Sequence, residues 1–207
     1  MPAVMKIASY TDDLYAELEA LPENLTGEII NGQLYAQPRP TNRHALVESG
    51  LAMDIGSAYH RGRGGPGGWW ILVEPEIHFV RDTEVLVPDL AGWRRERMPR
   101  LPNDHRIEVV PDWVGEILSP STARKDRMTK MPVYAHYGVT YLWLVDPLAR
   151  TLEAFALREG RWTVIGLFQE QERVSVEPFQ EIALELGALW MEPAELIGPS
   201  HRCESPP

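Results

Sequence analysis

The run Trp113-Val114-Gly115-Glu116-Ile117-Leu118 constrains this chain more than any other stretch. It is apolar at both alternating sets of positions, which a strand tolerates only when both faces are covered, so it belongs in the middle of a sheet. Yet Glu116 sits inside it. A lone buried carboxylate is costly, so Glu116 must be neutralised, paired or metal-bound. Ser119-Pro120 then stops the strand, and Ser121 or Thr122 starts a helix carrying Arg124, Lys125, Asp126, Arg127 and Lys130. A buried acid lies beside a basic helix. The next apolar run, residues 141–147, reads as another buried strand, and the order strand, helix, strand predicts one parallel pair joined by a right-handed crossover.

The remaining segments fit around that unit. Thr11, Asp12 and Asp13 precede an apolar period through Leu14, Leu18 and Leu21, which predicts a short capped helix. Asn31-Gly32 between two strand-like runs is a hairpin signal, and Glu159-Gly160 joins a second hairpin, 151–157 with 162–167. A helix is expected over 42–59 with Thr41 as its cap. The tract RGRGGPGG at 61–68 lacks the Lys-Ser/Thr ending of a phosphate-binding loop and reads as a flexible connection. Two apolar bursts around Glu74-Pro75-Glu76, and a third run leading to Pro88-Asp89, read as antiparallel strands. The class is α/β or α+β: a mixed central sheet flanked by helices, with a peripheral antiparallel hairpin. One domain is expected over residues 1–170, with an acidic extension over 171–207.

Charge and composition narrow the function. With 20 basic and 30 acidic residues the net charge is −10, which argues against bulk non-specific attraction to nucleic acid. The distribution is uneven, however: Arg94, Arg95, Arg97, Arg100 and Arg106 form one local basic strip and the 124–130 helix another. No uninterrupted apolar run reaches membrane-spanning length, the N-terminus lacks the order of a signal peptide, and Cys203 is the single cysteine. These features predict a soluble cytoplasmic protein without an organic cofactor.

The order Pro88-Asp89 at a strand end, then Glu116 on a central strand, then a helix resembles the PD-(D/E)XK nuclease superfamily. More closely, PDWVGEILSPSTARKDRMTK followed by YAHYGVTYLWLVDP is similar to the Uma-two family of predicted restriction endonucleases, with its pattern PDxxxEVLSPST, D, K, Y, GVxEYWLVDP. The upstream GEIINGQLYAQPRPTNRH resembles that family's ELIDGEL, P, H region. The resemblance spans about Glu28 to Leu157. It implies a metal-dependent endonuclease acting on DNA, with Asp89 and Glu116 holding Mg²⁺ or Mn²⁺ and Glu28 completing the metal shell.

The usual superfamily lysine, two residues after Glu116, is replaced by Leu118. Lys130 matches the family pattern, and a helix that doubles back brings it roughly 13 Å along its axis, nearly beside Glu116. Lys125 competes for the place. Five residues apart on an α-helix, the two lysines should point in different directions, so only one is expected to enter the site. Pro132 predicts a kink just past Lys130. Asp126 and Lys130 are also spaced for a surface ion pair, His44 matches the family's upstream histidine, and Glu76 shares a strand face with His78; Glu76 is the weakest of these candidates. Trp143 and Trp162 suggest a homodimer interface. The alternative to an enzyme is a catalytically inactive nuclease-fold module for nucleic-acid or protein binding.

Overall fold

The computed structural model of the protein describes residues 4–7 and 13–190. Its elements in chain order are β1 (Met5–Ile7), α1 (Leu14–Glu19), β2 (Leu25–Ile30), β3 (Gln33–Pro38), α2 (Asn42–Ile55), β4 (Trp69–Val73), β5 (Glu76–Val80), β6 (Glu84–Leu86), β7 (Leu90–Arg94), β8 (Arg106–Ile107), β9 (Trp113–Ile117), α3 (Ala123–Lys125), α4 (Met131–Tyr137), β10 (Tyr141–Asp146), β11 (Thr151–Arg158), β12 (Arg161–Gln169), β13 (Arg173–Val174), β14 (Leu184–Glu185) and α5 (Leu186–Trp190). Two wide π-helical turns interrupt the helices, Gly56–His60 after α2 and Asp126–Lys130 between α3 and α4.

The first sheet has the order β12-β11-β10-β9-β7-β4, and β9, the run with the buried acid, lies inside it. β9 and β10 pair in parallel, with Glu116 opposite Leu144, and the crossover between them carries α3, the second π-turn and α4. The other pairs of this sheet are antiparallel. One face is covered by α2, whose Val47, Leu51 and Ile55 pack with Trp69, Leu90, Trp113 and Trp143. The opposite face, bearing Val114 and Leu118, packs against α4 and a second six-stranded sheet, β1-β3-β2-β6-β5-β8, through Ile30, Ile77 and Leu86. Gly115 makes room for the fully buried Trp113 indole, since an added Cβ would come within 2.9 Å of the ring. Residues from Val174 to Trp190 also enter the core on the α2 side.

Local signals placed most turns. Asn31-Gly32 and Glu159-Gly160 all have positive φ, as two-residue type I′ hairpins require. Thr41 caps α2 through His44 N. α1 is capped by Asp13, whose Oδ1 accepts from Ala16 N at 3.0 Å; Thr11 and Asp12 lie outside the described residues.

Pairing across Glu74-Pro75 departs from expectation. β4 and β5 are not neighbours: β4 pairs with β7 in the first sheet, whereas β5 pairs with β6 in the second. Glu74 has φ +44° and Pro75 has no N–H to donate, so the ladder breaks there and the chain changes sheets. The tract 61–68 is tied back onto the first π-turn, with Arg63 N donating to Ser57 O at 2.8 Å and Gly67 N to Ala58 O at 3.0 Å. Among the described residues, no helix is long and apolar enough to cross a membrane.

Candidate active site

Glu116 faces the layer between the two sheets, on the side of β9 that carries Val114 and Leu118. Its Oε1 receives two donors: the Lys130 ammonium at 2.6 Å and the Tyr134 hydroxyl at 2.5 Å. Lys130, 1% exposed, also lies 2.9 Å from Glu28 Oε1 and donates to Val87 O at 3.3 Å. Glu28 is equally buried. Its Oε2 meets Lys125 Nζ at 2.5 Å, and its Oε1 also accepts from Val87 N at 2.9 Å. Lys125 donates in addition to Gln37 Oε1 at 2.6 Å.

Both lysines therefore reach Glu28, contrary to the expectation that they point in different directions, although only Lys130 touches Glu116. The reason is the π-turn: Met131 N bonds to Asp126 O, five residues back, so one turn holds more residues than an α-turn and side chains five apart align. The expected kink at Pro132 does not mis-aim Lys130. Pro132 occupies the start of α4, directly after the wide turn, where its missing N–H and its ring are tolerated best.

Asp89 precedes β7, and continuing the antiparallel register Leu90↔Gly115 sets it opposite Glu116. Its Oδ2 accepts from Ile117 N at 2.6 Å, and its Oδ1 lies 2.9 Å from His44 Nε2, brought in by the first turn of α2. Asp89 and His44 line a cavity of about 320 Å³ whose wall includes Thr26, Leu118, Ser119 and Thr122. Asp126 is buried and close enough to both lysines to feel their charge. Of the expected residues, Glu28, His44, Asp89, Glu116, Lys125, Asp126 and Lys130 are thus drawn into one electrostatic neighbourhood. Glu76 is not: it pairs with His78 at 2.7 Å and accepts from Tyr15 at 2.7 Å in a separate cluster.

The charges perturb one another strongly. Burial would raise the Glu28 carboxyl, but Lys125 and Lys130 outweigh it and hold it down at about 2. Burial pushes Glu116 up to about 8, with Asp126, Asp89 and Glu28 adding to the rise and Lys130 opposing it. Burial would strip Lys130 of its proton, yet Glu116 and Glu28 hold its pKa well above the ordinary lysine value. The two demands on the Glu116–Lys130 contact conflict, and the lysine's charge is the firmer, because Glu28 stays ionised beside it whatever Glu116 does. Glu116 is the group that titrates. Burial raises Asp126 to about 6 against the pull of Lys130 and Lys125. At His44, burial is outweighed by the Asp89 hydrogen bond and charge, which raise the imidazole above its usual value.

Two participants carried no clear sequence signal: Gln37 lies near the end of β3, and Glu48 follows His44 by one turn of α2. Tyr134, one turn past Lys130, stands where the resembled pattern carries its tyrosine. Glu48 is 7% exposed and its Oε1 has no hydrogen-bond partner. Burial, then the charges of Asp89 and Glu74, raise it to about 7.

The oxygen donors fit a hard divalent cation that keeps much of its water, a mode needing only one or two carboxylates. The Asp89 charge, on the adjacent strand, adds to the rise at Glu116, a load that a cation would relieve. They do not form a closed cage: among the described residues no three His, Cys, Asp or Glu side chains are grouped to enclose an ion.

Comparison with known proteins agrees with this architecture. A family profile described as Uma2, "Putative restriction endonuclease", matches residues 13–188. Among solved structures, one from Anabaena variabilis, described as "a putative nuclease belonging to DUF820", superposes with a TM-score of 0.67 at 23% identity, covering 85% of this chain and 96% of that one. No curated protein matches.

Proposed function

The chain belongs to the Uma2 family, and from that premise we propose that it is a divalent-metal-dependent nuclease that hydrolyses DNA phosphodiester bonds. The observation that carries the reading is the buried Lys130 ammonium 2.6 Å from Glu116, which stands opposite Asp89 in the sheet, Asp89 itself lining the open cavity. Asp89 and Glu116 would hold Mg²⁺ or Mn²⁺, which when bound polarises a phosphoryl oxygen and lowers the pKa of its water. His44 orients Asp89 through Oδ1, leaving the backbone of Ile117 to fix Oδ2. Tyr134 fixes the rotamer of Glu116, and Lys130 stands in for the lysine displaced by Leu118, stabilising negative charge that develops on the phosphoryl group. Glu28 is buried, does not line the cavity and has each oxygen held by a lysine ammonium, so its role here is to fix the lysines rather than to ligate the cation.

Incubation with supercoiled plasmid and Mg²⁺ or Mn²⁺ tests this. Wild-type protein is expected to nick or linearise the plasmid, with Asp89→Asn and Glu116→Gln reducing the rate at least about 100-fold; equal cleavage by wild type and Glu116→Gln would remove the assignment.

One observation favours a second reading, a non-catalytic module that kept the fold: the Lys130 ammonium is already shared among Glu28, Glu116 and Val87 O. That reading predicts no calorimetric Mn²⁺ binding that depends on Asp89 and Glu116. A working dimer is the finer form of the first reading. Of the side chains that suggested it, Trp143 is fully buried with its indole donating to Glu177 O, and Trp162 is half-buried with its indole donating to Met131 O, so the dimer rests on sedimentation.

A further inference from the structure

Resting on the nuclease reading, we infer that the groove between α2 and the edge strand β4, with the arginines clustered at its far end, is the track for a nucleic-acid strand leading to Asp89. The groove is about 520 Å³ in volume and is lined by Met53, Ser57, His60, Arg61, Arg63 and Val73. Val73 precedes Glu74, which lines the cavity at Asp89, so the two depressions follow one another along β4.

The arginines come from two segments that the fold brings together. Arg61 and Arg63 are exposed on the glycine-rich tract. Arg95 ties that tract to the end of β7: its N donates to Gly68 O at 2.9 Å and its Nη2 to His60 O at 2.8 Å. Arg95 also stacks on Trp70 at 4.1 Å, and Arg94 lies 4.9 Å from the Trp69 ring. Arg97 and Arg100 are exposed on the same segment. The acids along this path include Glu96 and Asp54, both exposed, Asp112, which is buried and bonded to Arg97 at 2.9 Å, the exposed Glu181, which accepts from Tyr59, and the exposed Glu74 at the cavity end. Positive charge dominates this end of a chain whose net charge is −10.

Guanidinium groups propped on indoles suit phosphate oxygens and unstacked bases better than an acidic protein segment, for which lysines without aromatic support would serve equally. The spacing also fits a nucleic acid. Arg94 and Asp89 stand at opposite ends of β7, roughly 17 Å apart by strand rise, which is about five phosphates along one strand.

The test is fluorescence anisotropy with a labelled duplex of about 30 base pairs and the matching single strand, in EDTA, at salt from about 50 to about 200 mM. The variant is Arg61→Ala/Arg63→Ala. Its charge-matched control is Arg158→Ala/Arg161→Ala, on the hairpin at the opposite edge of the same sheet. Losing two phosphate contacts should flatten the log–log salt slope by about 1.8 on duplex, so that wild-type affinity falls about 12-fold more than the variant's over that range. The control should keep the wild-type slope.

Equal slopes for both variants would overturn the track, as would absence of wild-type binding at the lowest salt, or competition by polyglutamate as effective as by DNA. Plasmid cleavage measured on the same preparations separates the two claims. Cleavage without an effect of Arg61 and Arg63 on binding removes the track and leaves the nuclease, whereas binding that depends on them without cleavage does the reverse.

Discussion

Replacing Lys130 with methionine should expose how the buried charges are balanced. The side chain is 1% exposed and its ammonium bridges Glu28 and Glu116. Glu28 keeps Lys125 at 2.5 Å, so the carboxylate stranded by the change is Glu116. Breaking a buried pair by removing one partner costs about 3–5 kcal/mol, because the remaining charge is uncompensated. Glu116 can escape by taking a proton, and its pKa, already raised to about 8 by burial and by the neighbouring carboxylates, rises further without the lysine. Because Glu116 is already largely protonated at neutral pH, the expected cost is smaller there and reaches about 3 kcal/mol only above its wild-type pKa of about 8, so the comparison is made at about pH 9. Urea denaturation followed by tryptophan fluorescence in EDTA measures it. Lys130→Met/Glu116→Gln should recover to within about 1 kcal/mol of wild type, giving a coupling energy of at least about 1.5 kcal/mol. A single-variant cost below about 1 kcal/mol, or additivity in the double variant, would refute the buried network as described.

Glu48 offers a pH test on stability. Its folded pKa of about 7 lies above the unfolded value of 4.5, so the contribution is present in full below 4.5 and is lost as pH rises through 7. Wild type should lose about 2 kcal/mol more than Glu48→Gln between pH 5 and pH 9, read as the difference in urea-derived stability; parallel profiles would contradict it. A π-turn is an α-turn with one residue inserted, and Met128 in it is 72% exposed. Deleting Met128 with Pro132→Ala should leave the lysines four apart on an ordinary helix, on one face, at a cost below about 1.5 kcal/mol; loss of the folded state by circular dichroism would show that the wide turn itself is required. Gly115→Ala sets a Cβ 2.9 Å from the Trp113 ring and should cost about 1–3 kcal/mol in the same denaturation assay.

How far these features could be read in advance depends on whether local chemistry or packing decides them. Asn31-Gly32 and Glu159-Gly160 specify hairpins because positive φ at two successive positions is a local demand. The parallel pair β9 and β10 follows from a covered strand, a helix and another covered strand. Partner choice across Glu74-Pro75 does not, since both apolar bursts suit any covered sheet and nothing within them selects β7 or β6.

The acid in the apolar run shows the same division. Sequence alone determined that Glu116 needs a partner, because no strand of that composition can leave a carboxylate unanswered. Which groups answer it is set by how the crossover helix packs between the two sheets. Tyr134 and Lys130 meet it at one oxygen, Lys125 is recruited through Glu28, and Glu48 is left with an orphaned oxygen. An α-helical period assigns one lysine to the site, but the π-turn changes that period, and its hydrogen bonds to the fifth residue form where packing of the surrounding helix and sheets stabilises them.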